Sequence, residues 1–307
     1  MSAVVAVTGA TGFIGTWIVR RLLEADVRVK AFVRPCSEAK CLQHPGLEWI
    51  VGDLEDTACL ERLVGASDAV VHCAGIVRGI CPEDFEGVNT RIVYSLVEFC
   101  CRRLQPPRLL MISSLAAREP ELSYYARSKK LGENALKQAG TGIPWTIFRP
   151  PAVYGPGDRE MRPLFRCIAR GIVPCLAAGG NRFSLLHVHD LAEAVLYGLN
   201  SPAVSKKVYE LHDGFPGGYT WEDIACAAER VYRRRMLKLR MPAVLLKTAG
   251  FLNAAAARIH GRPPMLTLGK ARELAHHDWV CDNTEICRDT GWTPRILLED
   301  ALKSGLV

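Results

Sequence analysis

A tyrosine and a lysine stand four residues apart in the run Tyr125-Ala126-Arg127-Ser128-Lys129. On a helix, this spacing brings the two side chains to the same face. A lysine ammonium near a phenol favours the phenolate and lowers its pKa towards a range that catalysis can use. The pair therefore predicts a general acid/base at Tyr125. The alternative is an unreactive pair on the surface of a helix.

A second chemical signal is a glycine-rich run near the start of the chain. It reads Thr8-Gly9-Ala10-Thr11-Gly12-Phe13-Ile14-Gly15, follows a Val-rich segment and opens an amphipathic one. Glycines let the backbone turn tightly and approach a pyrophosphate, whose charge the N-terminus of a helix favours. The run predicts a dinucleotide-binding loop, and a tight turn without a ligand is the alternative. The loop residues assigned to the cofactor are Gly9, Thr11, Gly12, Phe13, Ile14 and Gly15.

The residue that follows the second predicted strand bears on the kind of dinucleotide. An acidic residue there binds the ribose 2′-hydroxyl of NAD, whereas an arginine accommodates the 2′-phosphate of NADP. This chain has Val33-Arg34-Pro35 at that place and no acid. We therefore expect Arg34 to favour NADP, with NAD as the alternative cofactor. The alternative role of Arg34 is that of a solvated surface arginine.

The tyrosine–lysine pair and the glycine-rich loop need a fold that positions them, and the alternation of strand-like and helical segments predicts one. Short β-branched runs lie a helix apart in the first half of the chain, at residues 4–7, 27–33, 48–51, 69–72, 108–112 and 145–148. Such alternation predicts an α/β fold with a doubly wound parallel (Rossmann) sheet and helices on both faces. We assign residues 1–150 to a dinucleotide-binding domain and expect 183–200 to return to it. Residues 151–182 and 201–307 are assigned to a smaller, interleaved C-terminal substrate-binding region.

Composition limits the class of protein. The chain has 307 residues, 49% of them hydrophobic and 23% charged, which excludes disordered, collagen-like and small disulfide-rich proteins. Twelve cysteines are scattered without a C-x-x-C spacing, which indicates reduced thiols in the cytoplasm. The net charge of +7 does not by itself indicate nucleic acid as a partner. No spacing typical of metal ligands suggests a metal site.

Taken in order, these motifs resemble the short-chain dehydrogenase/reductase superfamily, in its extended or atypical branches of the NAD-dependent epimerase/dehydratase type. The resemblance implies an oxidoreductase in which Tyr125 exchanges a proton with the substrate oxygen. The similar stretches span most of the first 200 residues and are Thr8 to Gly15, Gly52 to Leu54, His72 to Gly75, Asn89, Ser113-Ser114, Tyr125 to Lys129, Arg149 to Asp158 and His187 to Ala192.

The same resemblance implies roles for further residues. In this family the lysine, here Lys129, also holds the nicotinamide ribose, and a serine at the end of the preceding strand hydrogen-bonds the substrate oxygen. Ser114 is our choice for that serine, and the adjacent Ser113 is the alternative. Asn89 resembles the asparagine that helps to hold its helix and a proton-relay water. The remaining cofactor contacts that the resemblance implies are Asp53, Leu54, Cys73, Ala74, Gly75, Pro150 and Val153.

Two departures from the family pattern bear on the reaction. Only eleven residues lead from Ser114 to Tyr125, fewer than in typical sugar-nucleotide epimerases and steroid dehydrogenases. In addition, Ser114 is followed by Leu115-Ala116-Ala117-Arg118, without the residues that sugar epimerases and dehydratases carry there. Both departures weigh against dehydration and, less strongly, against epimerisation.

The C-terminal hundred residues hold a basic cluster followed by an apolar segment. Residues 230–240 contain six Lys or Arg, and residues 241–257 are mostly apolar apart from Lys247 and Asn253. A core or lid helix is the first interpretation, and contact of 230–257 with a membrane surface is the second. The stretches 261–267, 279–282 and 290–294 resemble the tail of 3β-hydroxysteroid dehydrogenase-like and dihydroflavonol reductase-like proteins. This resemblance implies an apolar, sterol- or terpenoid-like substrate.

Our leading hypothesis is an NADP-dependent oxidoreductase that moves hydride between the nicotinamide and a hydroxyl or ketone carbon. A nucleotide-sugar epimerase is the alternative within the same fold. A non-catalytic NADP-binding scaffold or sensor is the alternative from another class. We expect a small-molecule substrate, no nucleic acid and a cytoplasmic location, and the sequence is also compatible with a homodimer and with peripheral membrane contact.

Overall fold

Strands and helices alternate along the first half of the chain, as the sequence predicts. The structure is a computed structural model that describes residues 3–176, 180–260, 264 and 266–307, with the backbone alone at 38–40 and 254–259. In the tail stretch 261–267, which carries part of the family resemblance, Gly261 to Pro263 and Met265 lie outside the described residues.

The strands in chain order are β1 Val4–Thr8, β2 Arg28–Val33, β3 Leu47–Val51, β4 Ala69–His72, β5 Arg108–Ile112, β6 Trp145–Arg149, β7 Ala152–Tyr154, β8 Ile172–Leu176, β9 Arg182–Phe183, β10 Leu185–His187, β11 Lys207–Glu210, β12 Leu237–Met241 and β13 Asp278–Trp279. The helices are α1 Phe13–Glu24, α2 Thr57–Gly65, α3 Glu83–Glu86, α4 Ile92–Cys101, α5 Tyr124–Ala139, α6 Arg162–Ala169, α7 Val188–Asn200, α8 Trp221–Tyr232, α9 Ala243–His260, α10 Leu268–Ala275, α11 Thr284–Thr290 and α12 Leu298–Lys303. A π-helical turn, Gly87–Arg91, leads into α4, and a short 3₁₀ helix, Leu115–Arg118, follows β5.

Seven of these strands form one parallel sheet in the order β3-β2-β1-β4-β5-β6-β11. In the register of this sheet, Val5 of β1 lies opposite Val29 of β2 and Ala69 of β4. The chain builds outwards from β1 to β3 on one side and from β4 onwards on the other, so the strand order reverses between β1 and β4. Ligand-binding clefts form at the carboxyl ends of strands at such a switch point. The prediction of a doubly wound Rossmann sheet is confirmed.

The central strands are apolar along their length because both faces of the sheet are covered. Val5 and Val7 of β1 pack in an apolar cluster with Ile18 of α1 and with α7. Ala6, between them in sequence, belongs to a second cluster with α2, α5 and Leu96 of α4. Burial on both faces fixes the carboxyl ends of the strands, where the predicted site residues follow.

Helix α8 begins after Thr220, which caps it. Thr220 accepts a hydrogen bond from the backbone nitrogen of Asp223 at 3.2 Å, and the Asp223 carboxylate accepts one from the backbone nitrogen of Thr220 at 2.8 Å. This reciprocal arrangement is a capping box, which satisfies amide groups that the helix itself leaves free. Thr220 is therefore the N-cap of α8, and the helix ends at Tyr232.

The second half of the chain contributes to both parts of the molecule. Within 183–200, β10 pairs with β7 outside the main sheet, while α7 packs with α1 on one face of that sheet. Strand β11 joins the main sheet beside β6, although it lies within 201–307. Other elements of the second half meet in a third apolar cluster around Phe165, Ile224 and Leu298. The division into a dinucleotide-binding domain and a substrate-binding region stays a prediction.

Candidate active site

The glycine-rich loop passes from the end of β1 to the start of α1 and lies against the end of β4. Gly9 has a φ of +71°, and a Cβ on it would lie 2.6 Å from the backbone nitrogen of Ala74. A Cβ on Gly15 would overlap the carbonyl oxygen of Gly9. Because a side chain fits at neither place, glycine at both allows the loop to fold tightly over the sheet.

Helix α1 begins at this loop without a side-chain cap. Its N-cap is Gly12, which has no side chain to accept hydrogen bonds from the amides of the first turn. Those amides carry the partial positive charge of a helix N-terminus, which favours a phosphate. All six predicted loop residues line one cavity of about 1500 Å³, namely Gly9, Thr11, Gly12, Phe13, Ile14 and Gly15.

The end of β4 lies beside the loop and is held by buried polar groups. Thr8 Oγ1 lies 2.9 Å from His72 Nδ1 and accepts a hydrogen bond from the backbone nitrogen of Ala74 at 3.2 Å. Burial lowers the pKa of His72 to about 3, so its ring is neutral at physiological pH. Cys73 and Gly75 line the cavity, and Ala74 is buried beneath it. Burial also raises the pKa of the Cys73 thiol to about 12, so this thiol stays protonated.

The ends of β2 and β3 carry the residues assigned to the adenosine half of the cofactor. Arg34 directly follows β2 and is exposed. Asp53 is also exposed and accepts a hydrogen bond from the backbone nitrogen of Glu55 at 3.0 Å, while Leu54 is buried. These residues follow neighbouring strands at the edge that carries the loop, but they do not line the cavity. Their roles stay predictions.

Tyr125 and Lys129 both reach the cavity from α5. Ser123 caps this helix by accepting a hydrogen bond from the backbone nitrogen of Ala126 at 3.0 Å, which places Tyr125 in the first turn. One turn later, buried Lys129 donates through Nζ to the carbonyl oxygen of Ile112, the last residue of β5, at 2.8 Å. Burial lowers the pKa of Lys129 to about 8. The sequence-predicted pair thus lies at one wall of the cavity.

The pKa of the Tyr125 phenol is raised, contrary to the expectation from its spacing with Lys129. Burial raises this pKa most, the hydroxyl of Ser114 lowers it, Glu273 raises it and Lys270 lowers it. The expectation was wrong because the spacing of two residues on a helix does not show how deeply the phenol is enclosed. A phenol with a raised pKa is protonated at neutral pH, which is the form that donates a proton to a substrate oxygen.

The two adjacent serines at the end of β5 have different surroundings. Ser113 is buried, and its Oγ donates a hydrogen bond to Glu133 Oε1 at 2.6 Å. Ser114 caps the 3₁₀ helix by accepting from the backbone nitrogen of Ala116 at 3.2 Å, and its hydroxyl also acts on the Tyr125 phenol. Both serines border the cavity. The surroundings favour Ser114 as the group that contacts a substrate oxygen.

Glu133 connects Ser113 to Arg149, at the end of β6, through hydrogen bonds. Its side chain is fully buried and accepts hydrogen bonds from Arg149 Nε at 2.8 Å and from Arg149 Nη2 at 2.6 Å. Burial acts to raise the pKa of Glu133, but the hydrogen bonds and the charge of Arg149, together with Ser113 and Lys137, lower the pKa overall. The carboxylate is therefore charged and links β5, α5 and β6 beneath the cavity.

Asn89 lies in the π-helical turn before α4 and holds α5 in place. Its Oδ1 accepts a hydrogen bond from the backbone nitrogen of Ile76 at 2.9 Å, and its Nδ2 donates to Ser128 Oγ at 2.9 Å. A Cβ on Gly132 would overlap the carbonyl oxygen of Asn89, so α5 packs directly on this turn. The role that the family resemblance implies for Asn89, to hold its helix and a proton-relay water, stays a prediction.

The structure also brings α10, from the C-terminal part of the chain, to the start of α5. A Cβ on Gly269 would lie 2.7 Å from Ser123 Cβ, and Ser123 Oγ donates a hydrogen bond to Glu273. Glu273 also pairs with Lys270 at 3.0 Å, and both residues line the cavity with Tyr125. The sequence analysis missed this contact. The signal available in the sequence was Thr267, an N-cap residue directly before an amphipathic run.

The rest of the cavity is mostly apolar. Pro150 and Val153, which the family resemblance assigns to the nicotinamide end, both line it. The apolar side chains at its wall come from both halves of the chain and include Ile80, Phe85, Leu164, Phe251, Leu266 and Trp279. The cavity therefore combines the glycine-rich loop, the Tyr125 phenol and a large apolar surface.

These features fit a nicotinamide dinucleotide. The loop offers uncapped amides to a pyrophosphate, and glycines stand where a Cβ would collide with the backbone. The sequence profile of the NAD dependent epimerase/dehydratase family matches residues 5–211. The chain belongs to this family. The predictions of an NAD(P)-dependent enzyme and of an extended short-chain dehydrogenase/reductase type are confirmed.

Curated members of the family include reductases. The chain is 37% identical to a ceramide reductase of Caulobacter vibrioides over 277 residues, which cover 90% of this chain and 86% of that protein. It is 25% identical to a 2-alkyl-3-oxoalkanoate reductase of Stenotrophomonas maltophilia over 333 residues, which cover 97% of each chain. Among solved structures, a UDP-glucuronic acid 4-epimerase from Bacillus cereus in complex with NAD has a TM-score of 0.75 at 18% identity and covers 98% of this chain and 96% of its own. At that identity, the last comparison shows the fold alone.

Proposed function

We propose that the protein is an NADPH-dependent reductase that converts a keto group of a long-chain lipid into an alcohol. The observation that carries the proposal is the single cavity in which the glycine-rich loop, Tyr125, Lys129 and Ser114 meet a mostly apolar lining. The similarity to a ceramide reductase supports a substrate with acyl chains. It favours such a lipid over the sterol- or terpenoid-like substrate that the tail resemblance implies.

The proposed chemistry divides among three side chains. When bound, NADPH supplies hydride to the keto carbon. Ser114 donates a hydrogen bond to the keto oxygen and favours the negative charge that develops there. Tyr125, whose phenol is protonated at neutral pH, gives its proton to that oxygen, and the alcohol is complete. Lys129 contributes a positive charge at the same wall of the cavity, where the phenolate is left.

The preference for NADPH over NADH is part of the proposal. Arg34 is exposed directly after β2, where a 2′-phosphate is recognised in folds of this type. Its charged guanidinium can bind a phosphate through two parallel hydrogen bonds. Asp53 and Leu54 at the end of β3 would stand near the adenine, as the family resemblance implies.

The proposal is tested by the consumption of NADPH with four groups of compounds: long-chain keto lipids, steroids, aldehydes and nucleotide sugars. We expect turnover with the keto lipids. Tyr125→Phe keeps the ring and deletes the proton donor, so turnover should fall by about 10² to 10⁴ while NADPH binding persists. Tyr94→Phe, which removes a phenol from the exposed face of α4, is the control and should retain full turnover.

Two other outcomes would point to different functions. Interconversion of nucleotide sugars without net consumption of NADPH would support an epimerase, the alternative from the sequence analysis. Tight NADPH binding with no turnover of any compound would support the scaffold or sensor. A Tyr125→Phe protein that keeps most of the wild-type activity would contradict the proposed mechanism.

Location and assembly are further parts of the proposal. A long-chain lipid resides in a bilayer, so peripheral membrane contact through 230–257 follows from the proposed substrate. A cytoplasmic enzyme with a small-molecule substrate and no nucleic acid partner agrees with the same function. The homodimer stays a prediction.

A further inference from the structure

Helix α9 exposes an apolar face. Val244, Leu245, Phe251 and Leu252 are each between 58% and 71% exposed, and their spacing places them on one side of the helix. On another side, Leu246 is buried. A surface helix of a soluble protein normally turns its apolar side chains towards the core. Here four large apolar side chains face outwards instead.

Strand β12, which directly precedes α9 in the chain, exposes further apolar side chains. Leu237 and Leu239 are exposed, at 64% and 52%, and alternate with Lys238 and Arg240 along the strand. We call the six exposed side chains of the two elements the apolar platform: Leu237, Leu239, Val244, Leu245, Phe251 and Leu252. Several large apolar side chains exposed on neighbouring segments of the chain favour a site of interaction with a protein or a membrane.

The segment around the platform has a single sign of charge. Residues 230–272 contain eleven Lys or Arg and no Asp or Glu, whereas the whole chain has a net charge of only +7. Some of these cations are paired, as Lys238 is with Glu222 and Arg230 with Glu299. Arg235, Arg240 and Lys247 are exposed and make no ion pair within the described residues. The positive charge of the protein is therefore concentrated beside its most exposed apolar helix.

This combination identifies the partner. Apolar side chains beside lysines and arginines suit the interface of an anionic bilayer, where acyl chains accept the former and phosphates attract the latter. A helix that lies on a bilayer differs from one that spans it. Among the described residues, no helix is long and apolar enough to cross a membrane. The positive charge and the exposed apolar face both indicate that α9 lies on the surface of a bilayer.

Phe251 belongs both to the platform and to the cavity wall. It is 64% exposed, and it lines the same cavity as Tyr125 and the glycine-rich loop. Leu266 and Leu268, which follow α9 in the chain, line the cavity as well. The cavity therefore reaches the surface at the platform.

We propose that the apolar platform docks on an anionic bilayer and that the acyl chain of the substrate passes from the bilayer along Phe251 into the cavity. The lipid passage rests on the proposed function, whereas the docking does not. Because Val244, Leu245 and Leu252 lie outside the cavity wall, docking can be removed without altering the groups around Tyr125.

Docking is tested by co-sedimentation of the full chain with vesicles of phosphatidylcholine, with and without phosphatidylglycerol. Wild type should sediment with the anionic vesicles at low salt, and less as salt screens the charges, since the Debye length is about 10 Å at 0.1 M. The triple variant Val244→Ser, Leu245→Ser, Leu252→Ser and the double variant Arg240→Glu, Lys247→Glu should each reduce the bound fraction at least tenfold. Leu104→Ser, at a fully exposed leucine after α4, is the control and should bind as wild type does.

Two results would overturn the docking: no sedimentation of wild type with anionic vesicles at low salt, or platform variants that bind as well as wild type. Circular dichroism of each variant shows that it is folded. Turnover then separates the docking from the function. The triple variant should lose turnover of a long-chain ketone in vesicles at least tenfold and keep turnover of a short, water-soluble ketone.

Equal loss on both ketones would contradict the passage from the bilayer. Vesicle binding without turnover of any ketone would refute the proposed function and leave the docking intact. Turnover of a lipid ketone without vesicle binding would refute the docking and leave the proposed function intact.

Discussion

The adjacent serines at the end of β5 separate a catalytic role from a structural one. Both border the cavity, but Ser113 is buried and donates to Glu133 at 2.6 Å, whereas Ser114 acts on the Tyr125 phenol. Ser114→Ala should therefore reduce turnover strongly. Ser113→Ala should reduce stability and leave the turnover of the folded enzyme close to that of wild type.

The expected losses of kcat and of stability follow from the hydrogen bonds that each substitution removes. Loss of one hydrogen-bond donor to a developing oxyanion costs about 10² to 10³ in kcat, which we expect for Ser114→Ala. The same change removes a cap from the 3₁₀ helix, which costs about 1 kcal/mol of stability. Ser113→Ala takes a hydrogen bond from a fully buried, charged carboxylate, so the free energy of unfolding should fall by about 1.5 to 3 kcal/mol. The two bonds from Arg149 keep Glu133 charged in that variant.

The assay is the turnover of NADPH with the keto substrate, together with urea unfolding of both variants at the same temperature. Circular dichroism selects conditions in which each protein is folded, so that lost turnover is not lost structure. If folded Ser113→Ala loses more than a hundredfold in kcat and Ser114→Ala keeps most of it, the assignment of the two serines is reversed. If neither change affects kcat, hydrogen bonding from this strand end is not part of the mechanism.

Three further predictions concern the cofactor loop, the cofactor and the acid/base. Arg34→Asp should invert the ratio of the affinities for NADPH and NADH in a calorimetric titration, and wild type that binds NADH more tightly would refute this assignment. Gly9→Ala should weaken NADPH binding and lower the free energy of unfolding by at least about 1 to 2 kcal/mol, because its φ is +71° and the new Cβ meets Ala74. Gly12→Ala, at a φ of −80°, is the control and should have a smaller effect on both quantities. Lys270→Met removes a charge that lowers the pKa of Tyr125, so the pH at which alcohol oxidation reaches half its maximal rate should rise. Lys270→Arg keeps the charge and should leave that pH unchanged. An unchanged pH profile for Lys270→Met would exclude this role of Lys270.

The sheet and its loop could be predicted from the sequence because their causes are local. A strand buried on both faces has to be apolar throughout, and β1 and β4 are recognisable for that reason. The glycines are recognisable because a Cβ at Gly9 or Gly15 would collide with the backbone of the loop itself or of β4. The spacing of Tyr125 and Lys129 is likewise a property of one helix. Each of these signals lies within a short stretch of chain.

What could not be predicted depends on contacts between distant stretches. Strand β11 is short and lies about sixty residues after its partner β6, so its sequence does not show that it completes the sheet. The same applies to Lys270 and Glu273, which reach the start of α5 because Gly269 fits against Ser123. The difference between Ser113 and Ser114 also depends on such a contact, since Glu133 lies twenty residues further along.

Local contacts and contacts between distant stretches of chain have different effects at the site. The Rossmann sheet, through Lys129, Ile112 and the glycine-rich loop, sets where a dinucleotide and the phenol stand. The C-terminal helix α10, through Glu273 and Lys270, acts on the pKa of that phenol, and its neighbours line the apolar part of the cavity. In the proposed reductase, the region assigned to substrate binding thus also contributes to the acidity of the Tyr125 phenol. A change in α10 should therefore alter substrate choice and pH dependence together, whereas a change in the loop should alter cofactor binding and stability and leave substrate choice and pH dependence unchanged.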